Sequence, residues 1–588
     1  MASVDDIFKN VGLPSKRKRE AIADPNELYK SSKLTASSHR TRNEAEADAT
    51  VAEDDDELEA GPAPPPQQGE ADEEGDDDEG RFFGGGISAK ESEVLDFVAG
   101  AGEDADRGPE KIDVAWMRRT AQTLEKRIAT NTRLRAKFEG DPQKFIASEA
   151  ELDADVKALS ILSEHPELYP DFVVLGCAVH LVGLLAHDNT DIAIDALEII
   201  GELTDEDVAA DDSQWDALVD ALLDADLIGL LVSNLARLDE ADEADRNGVY
   251  YALGIVENLC SRSATAARIG AHDALLGWLL QRIQRQEQPI TVSQNKQYAA
   301  EILAILSQSA AEIRRQMAAR DAIDIMLQLV AAYRKRDPDK GGEEEEYMEN
   351  LFEALTCLVD EPSGKAKFIE AEGVELCLIM FREGKRSKAP ALRLMDHATG
   401  GASTAAVDVC VKIVDAGGLR PLFTLFIKSR DRRLQGHMLG VLASMMRLLP
   451  AGSAERIRTL AKFVEKDYEK TAKLVQLHAD FGALVRRAEA QHRRDAAGVD
   501  PTEAEVELLS RRLDAGLFAL QQVDVLLAWL AAEDGGARKR IERLLGDRDE
   551  SFATVAAIIK EQREGLDTTE EDSKDMSDML DTLLEFVR

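Results

Sequence analysis

The chain has 588 residues, of which 44% are hydrophobic and 5% aromatic, and its formal net charge at pH 7 is −42. This excess of acids disfavours a protein that binds nucleic acids or anionic membranes, because such surfaces need clustered Lys and Arg. The low aromatic content disfavours a β-sandwich or barrel, whereas the abundance of Ala, Leu, Glu and Arg favours helices.

The first segment, residues 1–108, has the composition of a disordered acidic tail. Residues 51–80 contain 14 acids and no base, and offer little apolar surface to bury. Residues 81–86 read Arg-Phe-Phe-Gly-Gly-Gly, which is compatible with a docking motif or with a linker. The tail also contains a short basic cluster: Lys16, Arg17, Lys18 and Arg19. This cluster is a candidate nuclear-import signal that an import carrier would bind, although it is also compatible with a solvated charge run.

From residue 114 onward the hydrophobic pattern is continuously helical, which predicts an all-α fold. Similar apolar runs recur, and aligning them gives steps of 46, 49, 48, 51 and 45 residues between Leu184, Leu230, Leu279, Leu327, Leu378 and Phe423. This period predicts a right-handed superhelical solenoid of the armadillo or HEAT type. We expect an N-terminal helical cap at 109–177, repeats at 178–450 and a C-terminal helical region at 451–588.

Each unit is predicted to be a helix pair, in which the apolar run is followed by a second, longer helix. These second helices are expected at 191–204, 247–260, 295–306, 347–359 and 436–449. One helix pair cannot close its own core, so the units must stack to become stable. Further helices are expected at 114–138, 142–165, 454–493 and 503–530.

The helix at 191–204 carries a row of acids beside its apolar face. Residues 141–246 contain 27 acids and 4 bases, and the acids of 205–226 and 239–245 continue the like charge beyond this helix. Such a row in a solenoid groove would attract a basic peptide. The alternative is a merely solvated face, but the continuity of the like charge favours the groove. The row consists of acids spaced by three or four residues: Asp191, Asp195, Glu198, Glu202 and Asp205.

The following second helices add polar residues that we expect in the same groove. A groove Asn holds a peptide backbone whatever its sequence, but Asn is also common on helix surfaces. The candidates are Glu257, Asn258, Glu301, Glu349, Asn350 and Glu353.

Sequence motifs of catalysis and metal binding are not found. The nine histidines and five cysteines form no recognisable nucleophile–base pair or metal-ligand spacing, so we predict no catalytic residue, metal or cofactor. The cysteines lie in apolar stretches and are expected to be buried in a reducing compartment. No apolar run has the length of a membrane span or a signal peptide.

Several segments, in the same order, resemble the beta-catenin-like protein 1 family: 134–138, 142–145, 181–191, 255–258, 301–306, 348–352 and 511–518. The resemblance covers about 114–565. It implies a nuclear, noncatalytic armadillo-repeat scaffold that acts in pre-mRNA splicing with the spliceosomal NineTeen complex. Its implied partners are splicing factors with basic, nuclear-localisation-like segments, notably a Myb-like component of that complex. The alternative is a nuclear import adaptor for basic cargo signals, and a homodimer remains open.

Overall fold

The computed structural model describes residues 111–587 except 289–291, 496–500 and 567–570. The predicted tail, with its Lys16–Arg19 and Arg81–Gly86 motifs, lies outside these residues. The described part is helical and contains no strand, which confirms the predicted all-α solenoid. It has 26 α-helices: α1 (Val114–Lys137), α2 (Ile146–Lys157), α3 (Tyr169–Val174), α4 (Cys177–Leu184), α5 (Thr190–Leu203), α6 (Asp212–Asp224), α7 (Leu227–Arg237), α8 (Glu243–Leu259), α9 (Ser263–Gly270), α10 (Asp273–Gln284), α11 (Gln294–Ser309), α12 (Ala311–Ala319), α13 (Ala322–Val330), α14 (Glu343–Leu358), α15 (Pro362–Glu370), α16 (Gly373–Glu383), α17 (Lys388–Thr399), α18 (Thr404–Asp415), α19 (Leu419–Lys428), α20 (Arg432–Leu448), α21 (Ala454–Asp495), α22 (Pro501–Asp514), α23 (Leu517–Glu533), α24 (Gly535–Gly546), α25 (Phe552–Glu564) and α26 (Glu571–Phe586).

The repeating unit has three helices, so the predicted helix pair is wrong. The aligned apolar residues all lie on the second helix of a unit, in α4, α7, α10, α13, α16 and α19. A first helix, missed in the sequence, precedes each of them, and the third helix is the longest of the three. Six such units run from α3 to α20. The first helices are hard to recognise because several have only eight or nine residues, and α12 and α15 each bury only three side chains.

The turn between the first and second helix repeats the same backbone device. The chain adopts a positive φ there in five of the six units, at Gly176, Asp226, Asp321, Glu372 and Gly417. A residue in the left-handed conformation reverses the chain within one or two positions, so the first and second helices of a unit pack closely. The repeat is therefore visible in the backbone as well as in the apolar pattern.

The third helices stack on one another into a continuous row, which we call the third-helix row: α5, α8, α11, α14, α17 and α20, with α2 and α23 packed against its two ends. Side-chain caps begin several of these helices, among them Asn189 of α5, Asp242 of α8 and Asp431 of α20. Such caps satisfy amides that a helix N-terminus leaves free. Apolar faces of all three helices fill one core that runs through the described units.

The C-terminal helices depart from prediction at two points. The long helix α21 is broken at Glu465–Tyr468, where Lys466, Asp467 and Tyr468 all have positive φ. The expected helix at 503–530 is two helices that turn at Gly516, whose φ is 98°. A Cβ at Gly516 would lie 2.7 Å from the Phe481 ring, so this close approach requires glycine.

The segment expected as a helix at 142–165 also differs. It contains α2 flanked by two 3-10 turns, Pro142–Lys144 and Ala158–Glu164. Among the described helices, none taken singly is long and apolar enough to cross a membrane, although two bent pairs meet the length and composition limits together.

Candidate functional site

Helix α5 presents three of its predicted acids at least partly to solvent. Asp191 is exposed in the first turn, where a negative charge interacts favourably with the helix dipole. Glu198 is half-buried and has no hydrogen-bond or ion-pair partner among the described residues. Glu202 is also half-buried and accepts a hydrogen bond of 2.6 Å from Ser160. Asp205 lies just beyond the helix and accepts from the backbone of Asp207.

Asp195 does not belong to this open face, which corrects the predicted row. Its exposed fraction is only 9%, because α2 packs over it. Its carboxyl group faces that of Asp153 and lies 3.3 Å from Lys157 Nζ. Burial, with the neighbouring Asp153 carboxylate, raises the pKa of Asp195 to about 7. Near neutral pH this residue therefore carries a reduced charge.

The acids that follow α5 in the sequence do not extend the row either. Those of α6 lie on first helices and pair with arginines of the next unit. Arg262 lies 2.8 Å from Asp212 and 2.6 Å from Asp216, and Arg268 lies 2.6 Å from Asp220. The acids of α6 are therefore not one surface with those of α5, and much of their charge is locally compensated.

On α8 and α11 the predicted residues connect neighbouring third helices. Asn258 donates from Nδ2 to the backbone oxygen of Gly201 at 3.0 Å, which joins α8 to α5. Glu257 accepts a hydrogen bond from the Tyr298 hydroxyl of α11. Glu301 is buried and accepts from Gln297 at 2.9 Å. Asn258 and Glu257 therefore join neighbouring third helices, whereas the bond between Gln297 and Glu301 lies within α11.

Helix α14 contributes the second open group of the row. Glu353 pairs with Arg393 of α17, whereas Asn350 is half-buried and has no hydrogen-bond partner among the described residues. Glu349 is exposed, but partial desolvation by the surrounding protein, together with the nearby Glu346, raises the pKa of its carboxyl group above the ordinary value. A cationic ligand beside Glu349 would relieve this penalty by favouring the charged carboxylate.

The row thus keeps two open polar groups, on α5 (Asp191, Glu198) and on α14 (Glu349, Asn350). Three helix-to-helix steps separate α5 from α14, or about 27 Å at an interaxial spacing of roughly 9 Å. An extended peptide of about eight residues spans that distance.

The acidic character of the row ends after α14, which was not predicted. The helix α17 is itself a third helix, and it places Arg393 and His397 on the row. His397 pairs with Asp360, and His437 of α20 pairs with Asp396, each at 3.0 Å. The signal available in the sequence was the excess of bases after residue 376, where 376–450 contains 12 bases and 5 acids.

Groups for metal binding or thiol chemistry are sparse. Within the described ranges, no cluster of three or more His, Cys, Asp or Glu side chains could hold a metal ion. Four of the five cysteines are buried, as predicted, and Cys357 is half-buried. Burial raises the pKa of Cys177 to about 11 and of Cys260 to about 12, so these thiols stay protonated and unreactive.

Comparison with known proteins identifies the family. The family described as "Catenin-beta-like, Arm-motif containing nuclear" matches residues 92–560. The chain belongs to the catenin-beta-like family. It is 35% identical to the beta-catenin-like protein 1 homolog of Schizosaccharomyces pombe over 498 residues, which cover 84% of this chain and 86% of that one. It is also 35% identical to human beta-catenin-like protein 1 over 472 residues, which cover 77% and 82%.

The family description supports an armadillo-repeat protein and suggests a nuclear one. Among solved structures, an engineered protein aligns with a TM-score of 0.45 and 18% identity over 74% of this chain and 95% of its own. The designed armadillo repeat protein YIII(Dq)4CqI aligns with a TM-score of 0.34 and 16% identity over 45% and 99%. Armadillo solenoids of this kind are typically noncatalytic.

Proposed function

We propose that this catenin-beta-like chain is a noncatalytic nuclear scaffold that binds basic, nuclear-localisation-like peptides along its third-helix row. The resemblance to beta-catenin-like protein 1 favours splicing factors as the source of these peptides, including a Myb-like component of a NineTeen-type complex in pre-mRNA splicing. The observation that carries the proposal is the pair of open acidic groups, on α5 and α14, joined by a row of stacked helices.

The peptide would bind in an extended conformation, with basic side chains at both ends of an eight-residue span. At one end Glu198, which has no partner among the described residues, accepts a cation without breaking an existing ion pair. At the other end Glu349 offers a charge, and Asn350 offers an amide that can pair with the peptide backbone. The acids that already bridge helices serve to position these groups.

The test compares two variants that each remove two negative charges. Asp191→Asn with Glu198→Gln neutralises the open group on α5. Asp220→Asn with Asp224→Asn removes two exposed acids of α6, on the first-helix side. Binding of a Lys/Arg-rich peptide of about eight residues is measured by fluorescence anisotropy at low and physiological salt.

We expect the α5 variant to weaken binding about ten-fold and the α6 variant to change it less than two-fold, since exposed charge pairs contribute roughly 0.2–1 kcal/mol each. Equal losses in both variants would mean that bulk charge, not the row, attracts the peptide. For the cellular role, affinity purification from nuclear extract should recover splicing proteins. Recovery of import carriers in stoichiometric amount without splicing proteins would favour the import adaptor instead.

A further inference from the structure

The edge of the solenoid where second helices lead into third helices changes sign along the chain. After α7 this turn is acidic, with Asp239, Glu240, Asp242 and Glu243. Counted through the first two residues of the third helix, the corresponding turns of the last three units contain 12 bases and 6 acids, and four of these acids lie in the turn after α13. We call these bases the basic edge: Arg334, Lys335, Arg336 and Lys340 after α13; Arg382, Lys385, Arg386 and Lys388 after α16; and Lys428, Arg430, Arg432 and Arg433 after α19.

Contacts between the first two turns make the basic edge a continuous surface. Ser387 Oγ donates to the backbone oxygen of Tyr333 at 2.8 Å, and the amide of Arg386 donates to Asp337 at 3.1 Å. The third turn adjoins the second because α16, which leads into the second turn, packs directly on α19, which leads into the third. A shallow cavity of about 490 Å³ opens on the first turn and is lined in part by Gln328, Arg334, Lys335 and Arg336.

The extent of pairing falls along the basic edge toward the C-terminus. In the first two turns, Lys335 lies 3.4 Å from Glu383, and Arg386 pairs with Glu345. In the third turn the described residues give no carboxylate partner to any of its four bases, and all four are exposed. Four like charges held close together without partners raise the electrostatic free energy of the fold, and an anionic ligand would lower it.

The chemistry of the edge favours a polypeptide over a nucleic acid. Proteins that bind single strands combine a basic track with exposed aromatic side chains on which bases stack. Here the aromatic residues at the same turns are in the core, since Tyr333, Phe381 and Phe426 are all at most 5% exposed. An extended Asp- or Glu-rich chain needs no stacking platform, because its carboxylates pair directly with guanidinium groups.

We propose that the basic edge binds an acidic polypeptide segment in an extended conformation, independently of the basic-peptide site on the third-helix row. Two steps between stacked helices cover about 20 Å, which corresponds to roughly six extended residues between the first and third turns. The segment therefore carries several acids within about ten residues.

The experiment uses the full chain and a labelled Glu-rich peptide of about ten residues, with fluorescence anisotropy at low and physiological ionic strength. The edge variant replaces Arg430, Arg432 and Arg433 with Gln, which removes no described ion pair. The matched control replaces three exposed arginines of α21, Arg487, Arg493 and Arg494, with Gln, so that both variants lose the same charge. An oligouridylate of similar length is titrated in parallel.

We expect the edge variant to lose about ten-fold in affinity and the control less than two-fold, with binding that weakens as salt rises. Circular dichroism should show unchanged helicity in both variants. Absence of peptide binding by the unaltered chain at low salt, or equal losses in edge and control variants, would overturn the proposal. Oligouridylate binding as tight as peptide binding would overturn the assignment to a polypeptide.

Discussion

Replacing Asp195 by Asn tests whether this acid is a buried partner of α2, as its geometry indicates. The carboxyl group is covered by α2, faces the Asp153 carboxyl and lies 3.3 Å from Lys157 Nζ. Its pKa is raised from 3.8 to about 7. Between these two values the folded chain binds more protons at this site than the unfolded chain does, so stability falls as pH rises from about 4 to 7.

The size of the effect follows from the shift and from solvent access. A shift of about three pH units corresponds to ~4 kcal/mol at 1.36 kcal/mol per unit. The Lys157 side chain is 54% exposed, so it and water can reorganise around the ionised pair of carboxylates. We therefore expect wild type to lose about 1–2 kcal/mol from this residue over that pH range. The amide introduced by Asp195→Asn carries no charge at any pH, so the variant avoids the cost of ionising a buried carboxyl group.

Urea unfolding followed by circular dichroism at pH 5, 6, 7 and 8 measures the difference. The Asp195→Asn variant should be nearly as stable as wild type at pH 5 and more stable at pH 8. Glu198→Gln, on the same helix but without a buried partner, is the control and should show the pH dependence of wild type. A difference between wild type and Asp195→Asn that does not change with pH would refute the buried-proton interpretation.

Two further substitutions probe how the third helices are joined. Lys365 is 2% exposed and donates to the backbone oxygens of Val359 and His397, both at 2.7 Å. Lys365→Met leaves the buried Val359 carbonyl unpaired, whereas the His397 carbonyl keeps the Gly400 amide, so the change should cost about 1–3 kcal/mol in urea unfolding; an unchanged midpoint would contradict this. In α20, a Cβ at Gly440 would lie 2.1 Å from Asp396 Oδ1, so Gly440→Ala should cost ~1–3 kcal/mol of unfolding free energy. A Cβ at Gly436 meets nothing within 4 Å, so Gly436→Ala should be neutral or slightly stabilising. Equal effects of the two substitutions would argue against the close approach of α17 and α20.

The repeat itself was predictable because the second helices are almost wholly apolar on their inner faces. Leu279 and Leu327, for example, occupy equivalent buried positions 48 residues apart, and this spacing can be seen in the sequence without the structure. Four of the first helices, α3, α9, α12 and α15, were not predictable in the same way, since they have only six to nine residues and show at most about two and a half turns of periodicity. The third helix α17 was missed because Pro390 and its neighbours interrupt the apolar pattern near its start.

The candidate site was only partly predictable for a different reason. Helical spacing places Asp195 and Glu198 on one face of α5, but only the packing of α2 decides which of them meets solvent. Asp212 and Asp216 looked continuous with that face, whereas their partner Arg262 lies about 50 residues further along the chain, one unit away. Contacts between successive repeats always have this separation. A count of charges over a short stretch of sequence misses these partners, so it overstates how many charged side chains are unpaired.

Pairing between repeats also explains why a chain with a net charge of −42 has both an acidic and a basic surface. Inter-repeat ion pairs neutralise many charges in the middle of the solenoid, as Arg314 and Glu361 do at 2.8 Å. The charges left without partners are therefore those for which the neighbouring repeat offers no counterion. At α5 these are acids, such as Glu198, and at the turn after α19 they are bases, such as Arg430 and Arg433. Ligands of opposite sign are needed to neutralise the two groups, and rising salt should weaken both interactions.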